Sequence, residues 1–355
     1  MAQATLTYKC PNCDAGLIFN ADKQLFSCEF CMSDFKEEEL LSSSAAENAE
    51  QARERDNLFS EEIEEYHCQS CGAEIIADKT TVAQFCCYCH NPVVLSDKVT
   101  GFMRPSKLIP FKFGKDEAIE IFNNFVKKKR FLPRDYFAPE NVEKITGIYY
   151  PYWVTDADTY STLHTSARTV RTWRSGDYRY TETKYYAINR EGNIHFEDIT
   201  NLAMSEEDTA MLEGILPFPS DAYIDFEMPY LHGFYAKKRT LDTDDLRDEV
   251  RASMHSYASD LLRRTISGYS SVDVGSTSVD IKKAHWEYSL MPVWILTYKK
   301  KRDRKNKIYT YAMNGYTGKI YGELPVSIPK ILALFGSIFG ALVGLFMLLG
   351  GFMQW

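Results

Sequence analysis

Nine cysteines lie within the first 89 residues, and eight of them form four C-x-x-C pairs: Cys10/Cys13, Cys28/Cys31, Cys68/Cys71 and Cys86/Cys89. In both halves of this set, 14 residues separate one pair from the next. A C-x-x-C turn offers two thiolates from one tight knuckle, and two knuckles joined by a short hairpin close the thiolate tetrahedron that zinc prefers. The repeated spacing predicts two zinc ribbons, each holding one structural Zn2+, so two ions per chain. Four thiolates leave no open position for water or substrate, which catalytic zinc requires. Cys87 is wedged between two ligands, and only Cys86 keeps the two-residue gap to Cys89. His67 and His90 flank the second cluster and are its alternative ligands. A disulfide framework needs an oxidising compartment, and "MAQATLTYKC" has no apolar run of signal-peptide length.

The opposite end constrains the setting. Residues 331 to 355, "ILALFGSIFGALVGLFMLLGGFMQW", carry no charged side chain. At about 1.5 Å per residue, some 20 residues cross the ~30 Å hydrocarbon layer, so 331–352 read as one transmembrane helix. Gly336, Gly340 and Gly344 recur every fourth residue and form a stripe suited to a homodimer contact. Lys330, Lys319 and the basic run Lys299–Lys307 precede the helix. Positive flanks stay on the cytoplasmic side, as reduced cysteines do. The expectation is a single-pass, tail-anchored protein of the cell membrane with its bulk in the cytoplasm.

Between these ends, residues 36–65 are rich in Glu, Ala and Ser and read as an acidic, partly helical linker. It divides ribbon 1 (1–35) from ribbon 2 (66–98). From 100 to 325 the pattern turns aromatic and β-branched and repeats. "YYPYW" at 149–153 matches "LMPVW" at 290–294, and "YYAINREGNIHFE" at 185–197 matches "TYAMNGYTGKIYGE" at 310–323, each reading as a strand, an Asn-started Gly turn and a strand. Upstream of each lies a helical pattern: Ile119, Phe122, Phe125 and Val126 after Asp116, and Leu246, Val250, Met254, Tyr257 and Leu261 after Thr243. The first unit carries an insertion, 161–184, that reads as an extended hairpin. The fold class is therefore α+β: two small β zinc ribbons, a duplicated α+β module (about 108–200 and 224–325) and one C-terminal transmembrane helix.

No phosphate loop, H-E-x-x-H, G-x-S-x-G or dinucleotide fingerprint is present, and His195 with Glu197 and Asp198 is explained as well by strand alternation on an exposed face. The sequence reads as a non-enzyme. Residues 1–100 hold 18 Asp/Glu and 7 Lys/Arg, whereas the rest holds 31 and 34. An acidic ribbon region repels phosphates, so nucleic-acid binding is disfavoured there and protein binding preferred. The exception is the basic stretch 298–309, suited to anionic lipid headgroups.

The C-x-x-C repeats ("CPNC", "CEFC", "CQSC", "CYCH"), "YYPYW", "MPVW", "NGYTGKIYGELP" and the apolar tail together resemble the bacterial TFIIB-type zinc-ribbon membrane proteins of Gram-positive bacteria. Similar proteins carry labels such as primosomal helicase or phage replication protein, labels that the zinc motif explains, since no helicase motor stands in this sequence. Relatives are encoded beside PspA-type envelope-stress proteins and SPFH (band 7) proteins. The resemblance implies a membrane-bound adaptor, with zinc ligands on Cys10, Cys13, Cys28, Cys31, Cys68, Cys71, Cys86 and Cys89 and no catalytic residues. In this reading the two ribbons and their linker form a recognition arm for an SPFH- or PspA-type partner. The competing expectations are a membrane-tethered nucleic-acid factor in replication or transcription, or a zinc or redox sensor using Cys87.

Overall fold

The computed structural model describes residues 10–13, 15, 17–28, 30–36, 39–40, 63–68, 74–78, 94–95, 104–132, 145–205, 209–231, 233–299, 308–322 and 327–352. The first ribbon contributes β1 (Ile18–Asn20), β2 (Leu25–Ser27) and β3 (Asp34–Phe35), an antiparallel three-stranded sheet in that order. The second cysteine region contributes β4 (Ile63–His67), β5 (Glu74–Asp78) and β6 (Val94–Leu95). Next come β7 (Lys107–Leu108), α1 (Lys115–Lys127), β8 (Ile145–Ser175) and β9 (Tyr178–Leu202). After α2 (Thr209–Gly214), β10 (Ile224–Asp225) and β11 (Tyr235–Ala236) follow α3 (Thr243–Arg264) and β12 (Ser271–Val272). The chain continues through β13 (Ser276–Lys299), β14 (Ile308–Asn314), β15 (Ile320–Gly322) and α4 (Ile328–Phe352).

One mixed sheet organises everything but the first ribbon. Its order runs β10-β7-β13-β8-β11-β5-β4-β6, with β9 and β12 on β8 and β14 and β15 beyond β13. The β8–β13 pair at its centre is buried on both faces, which is why "YYPYWV" and "LMPVWIL" read as unbroken apolar runs. Successive side chains point to opposite faces. Ile145, Tyr149, Trp153, Leu290 and Trp294 therefore join one apolar cluster, while Ile148, Tyr150, Tyr152, Val154, Met291 and Val293 join the other.

The two Pro-x-Trp stretches meet about a local two-fold. Tyr150 lies opposite Met291, Pro151 opposite Leu290 and Tyr149 opposite Pro292. The flanking hydrogen bonds come in matched pairs. Ile109 N–H donates to Leu290 C=O (3.0 Å) and Lys237 N–H to Tyr149 C=O (2.8 Å). Likewise Ala203 N–H donates to Pro151 C=O (2.9 Å) and Gly315 N–H to Pro292 C=O (2.8 Å). The short strands are exchanged: β7 runs parallel to β13, and β11 runs parallel to β8. Such an arrangement is what a duplicated unit would give, and we propose duplication as its origin.

The expected match between 185–197 and 310–323 is corrected. Asn314 does start a turn, its Oδ1 accepting from Tyr316 N–H (2.9 Å) and Thr317 N–H (2.8 Å), with Gly318 at φ 72°. Asn189–Gly192 instead lies inside β9, paired residue for residue with His164–Ser161 of β8. A 31-residue partner strand runs antiparallel along this stretch and bonds the backbone of alternate residues, and that continuous ladder takes the place of a turn. The reversal occurs at Gly176 (φ 61°), within the 161–184 insertion.

Both helices form where their periodicity places them, with two differences. α3 is capped by Asp242, whose N–H donates to the Asp245 carboxylate (2.8 Å). Its buried stripe is Leu246, Val250, Met254, Ala258 and Leu262. Tyr257 and Leu261, expected on that stripe, are 65% and 51% exposed, because the i, i+4 row continues through 258 and 262 instead. α1 begins at Lys115 after Gly114, not at Asp116, and its buried residues are Ala118, Phe122 and Val126. α4 is long and apolar enough to cross a membrane, and its described side chains from Ile331 to Phe346 are exposed. Its start is tied to the rest of the fold by Ser327 N–H to Phe131 C=O (2.7 Å) and by Lys330 Nζ to Leu132 C=O (2.7 Å).

Candidate metal centre

The β1–β2 hairpin sets the first cluster. Phe19 pairs with Phe26, and Asn20 Oδ1 accepts from the N–H groups of Asp22 (3.0 Å) and Lys23 (3.1 Å) to close the turn. This brings the 10–13 knuckle against the 28–31 knuckle. In the first, Cys10 N–H donates to Ala15 C=O (2.7 Å); in the second, Met32 N–H donates to Cys28 C=O (2.8 Å), with Met32 itself at φ 58°. Beside them, Asp34 binds the Ser27 hydroxyl (2.6 Å) and Lys23 (3.0 Å), which hold its carboxyl below the usual range.

The four Sγ atoms of Cys10, Cys13, Cys28 and Cys31 lie within 4.8 Å of one another. Cys10 Sγ is 3.5 Å from Cys31 Sγ, and Cys13 Sγ is 3.5 Å from Cys28 Sγ. A tetrahedral zinc with bonds of about 2.3 Å needs sulfur–sulfur edges of ~3.8 Å, a spacing close to the two short contacts and below the 4.8 Å bound on the set. Cys31 is pushed down to about 6, chiefly because the Ser33 hydroxyl, 3.3 Å from its Sγ, and the Ser33 backbone favour the thiolate. Cys13 moves up to about 12. The Ala15 backbone contact favours its thiolate, but burial and the thiols of Cys28, Cys31 and Cys10 outweigh that contact. Four thiolates this close repel, and a cation among them removes the conflict. Cys10 and Cys28 are buried in the large apolar cluster, whereas Cys13 and Cys31 are half-buried.

Of the second predicted set, Cys68 is fully buried at the end of β4, packed with the Tyr66, Ile75 and Tyr150 cluster. Cys71, Cys86 and Cys89 lie outside the described residues, as do Cys87, His90, most of the acidic linker and residues 300–307 of the basic stretch. One four-cysteine cluster able to hold a metal is thus present among the described residues.

The first cysteine hairpin packs against the module. Phe19 and Phe26 pack against Tyr230 of the module, tilted and edge-on (centroids 4.6 and 5.1 Å), and Gln24 Nε2 donates to Phe111 C=O (2.8 Å). A side chain on Gly114 would fall on the Asp22 carboxylate, which therefore sits at the amino end of α1, where an anion is favoured. β5 pairs with β11 through Ile76 and Ala236, making the second region an extension of the main sheet. Small sheets of this kind bury too little apolar surface alone, and here both regions pack on the module. No local sequence signal announces Gln24, Asp22 or Tyr230 as docking residues, because their partners are far away in the chain.

His195, the one histidine cluster considered above, donates or accepts at Nδ1 with Asp158 (2.7 Å) and lies 3.4 Å from Glu197 at Nε2. Asp158 raises its pKa. The group is on an exposed strand face, and no metal-ligand set forms around it among the described residues.

No family model matches the chain, and no solved structure matches it. Over 335 residues the chain is 31% identical to "Uncharacterized protein YdjG" of Bacillus subtilis (strain 168), covering 94% of each. The chain belongs to the YdjG family. With 94% of both chains aligned, the similarity spans nearly the whole chain rather than one motif.

Proposed function

We propose that this chain is a membrane-anchored adaptor on the cytoplasmic face of the membrane, in which structural zinc shapes a surface that recruits a protein partner. The observation that carries the reading is the four-cysteine cluster, seated in the same core as a module that continues into an exposed apolar helix. A four-thiolate site has no coordination position left for chemistry, so it serves shape. The second set, completed by Cys71, Cys86 and Cys89, would hold a second zinc. The resemblance to TFIIB-type zinc-ribbon membrane proteins points to an SPFH- or PspA-type stress protein as the partner. The docked ribbons change how recruitment works in this reading: the partner meets a composite of ribbon and module, so metal loss would disturb both.

The test is co-purification of the full chain in mild detergent with an SPFH-type and a PspA-type protein, each added pure. Capture by the zinc-loaded chain, lost in Cys13→Ser, is the expected result. Binding to neither, or equal binding by the Cys13→Ser chain, overturns the reading.

A further inference from the structure

The β8–β9 hairpin outruns the rest of the sheet. Its last lateral neighbours are β12, through Ser271 opposite Arg168, and Ser270, whose hydroxyl accepts from Val170 N–H (2.8 Å). From Val170 to Tyr186 every residue is exposed, and the two strands there pair only with each other among the described residues. A lone two-stranded ribbon is marginally stable in water. This one also exposes Trp173, Tyr178, Tyr180 and Tyr185 by 42%, 73%, 47% and 73%. Exposed aromatics on an otherwise unsupported ribbon mark a contact surface.

We propose that this arm, residues 168–186, lies on an anionic phospholipid bilayer. Charge and composition choose the occupant. The chain as a whole is at −8, yet the arm carries Arg168, Arg171, Arg174, Arg179 and Lys184 against Asp177 and Glu182. Trp and Tyr with basic neighbours are the side chains that settle at headgroup level. Pairing places Trp173 beside Tyr180, ring centroids 5.7 Å apart, with the Arg171 guanidinium 5.7 Å from the Trp173 ring. The other face holds Arg168, Arg174 and Arg179 and no carboxylate. That basic face also carries Tyr185 opposite Arg168, so it is the face laid on the bilayer, while on the aromatic face Glu182 is ion-paired with Lys184 (3.5 Å). Single-stranded nucleic acid needs several rings for successive bases beside its cations, and the basic face offers Tyr185 alone among the described residues of the arm.

The proposal rests on the membrane-anchor reading of α4 and fixes an orientation. β8 begins at Ile145, in the same core cluster as Leu132, whose carbonyl receives Lys330 at the start of α4. Val170 is 25 residues further along, roughly 80 Å at ~3.3 Å per residue. The arm reaches lipid only if β8 runs along the membrane plane rather than away from it.

Hydrogen exchange of the full chain in lipid nanodiscs decides the matter. Amides of 168–186 should exchange at least tenfold more slowly in discs containing phosphatidylglycerol than in phosphatidylcholine discs. Changing Arg168, Arg174 and Arg179 to Gln should abolish that difference without altering exchange in the β8–β13 core. Equal exchange of the arm in both discs, with α4 protected in each, overturns the proposal alone. An unprotected α4 overturns the anchor and the proposal together. Protection of the arm by an oligothymidylate in phosphatidylcholine discs, with no effect of phosphatidylglycerol, overturns it in favour of nucleic acid.

Discussion

Cys13 and Cys31 sit in one cluster yet move in opposite directions, and the cause of each shift makes a prediction. With Ser33 already favouring the Cys31 thiolate, the remaining cost of metal binding is deprotonating the other thiols against that charge. Cys13→Ser removes one ligand and should lower the zinc content of the purified chain by one equivalent; unchanged metal content would count against the site. His195 offers an independent check by NMR titration. Its pKa should lie above the ordinary ~6.5 and fall back in Asp158→Asn, because Asp158 is the main cause of the rise. The sign follows from linkage: stabilisation by this pair is complete below about 6.5 and fades as pH climbs through the raised folded value. An His195 pKa insensitive to Asp158→Asn would show that the 2.7 Å contact is not kept in solution. At this scale the sequence was informative wherever chemistry is local. The C-x-x-C spacing named Cys10, Cys13, Cys28 and Cys31, whereas Asp158, 37 positions from its histidine, had no signature.

Among the elements, helical periodicity located α1 and α3 but blurred which face is buried. Met254 is fully buried against Ala157, and Tyr257 one turn away is 65% exposed, although both fit an apolar stripe on paper. Met254→Ala should cost about 2–5 kcal/mol by denaturant unfolding, and Tyr257→Ala should stay within about 0.5 kcal/mol. Comparable losses from both would place the register elsewhere. The Asn189–Gly192 stretch misleads for a different reason. Asn and Gly announce a turn only when no neighbouring strand claims their backbone, and the partner here is set by the Gly176 reversal thirteen positions before Asn189. α4 was legible because an uncharged, almost wholly apolar stretch of this length has few alternatives. Deleting 328–352 should shift the chain from the membrane to the soluble fraction, and retention with membranes in high salt would require a further anchor.

For the whole molecule, the sequence suggested beads on a linker and the structure gives a shared core, a difference that zinc removal can measure. Cys10, Phe19, Phe26 and Cys28 belong to the same apolar cluster as Phe111, Tyr149 and Trp294. Such contacts join residues that share no local pattern, which is why spacing and composition pass over them. All five tryptophans lie beyond residue 150, at 153, 173, 286, 294 and 355, so their fluorescence reports on the module and tail rather than on the ribbon. If the ribbon were an independent bead, chelating zinc would leave tryptophan-detected melting unchanged. Because the ribbon covers Tyr230 and bonds Phe111 through Gln24, its loosening should remove support from the module. A ligand that binds only the folded state raises the stability of everything folding cooperatively with its site. For a domain of about 150–250 residues each kcal/mol so removed lowers the midpoint by about 2–4 °C. Chelation of the full chain in detergent should therefore lower the tryptophan-detected midpoint by several degrees. Gln24→Ala and Phe26→Ala, which leave all thiols in place, should shrink that shift by weakening the coupling. A midpoint indifferent to zinc would return the ribbon to the status of a separate bead, and with it the partner surface to the ribbon alone.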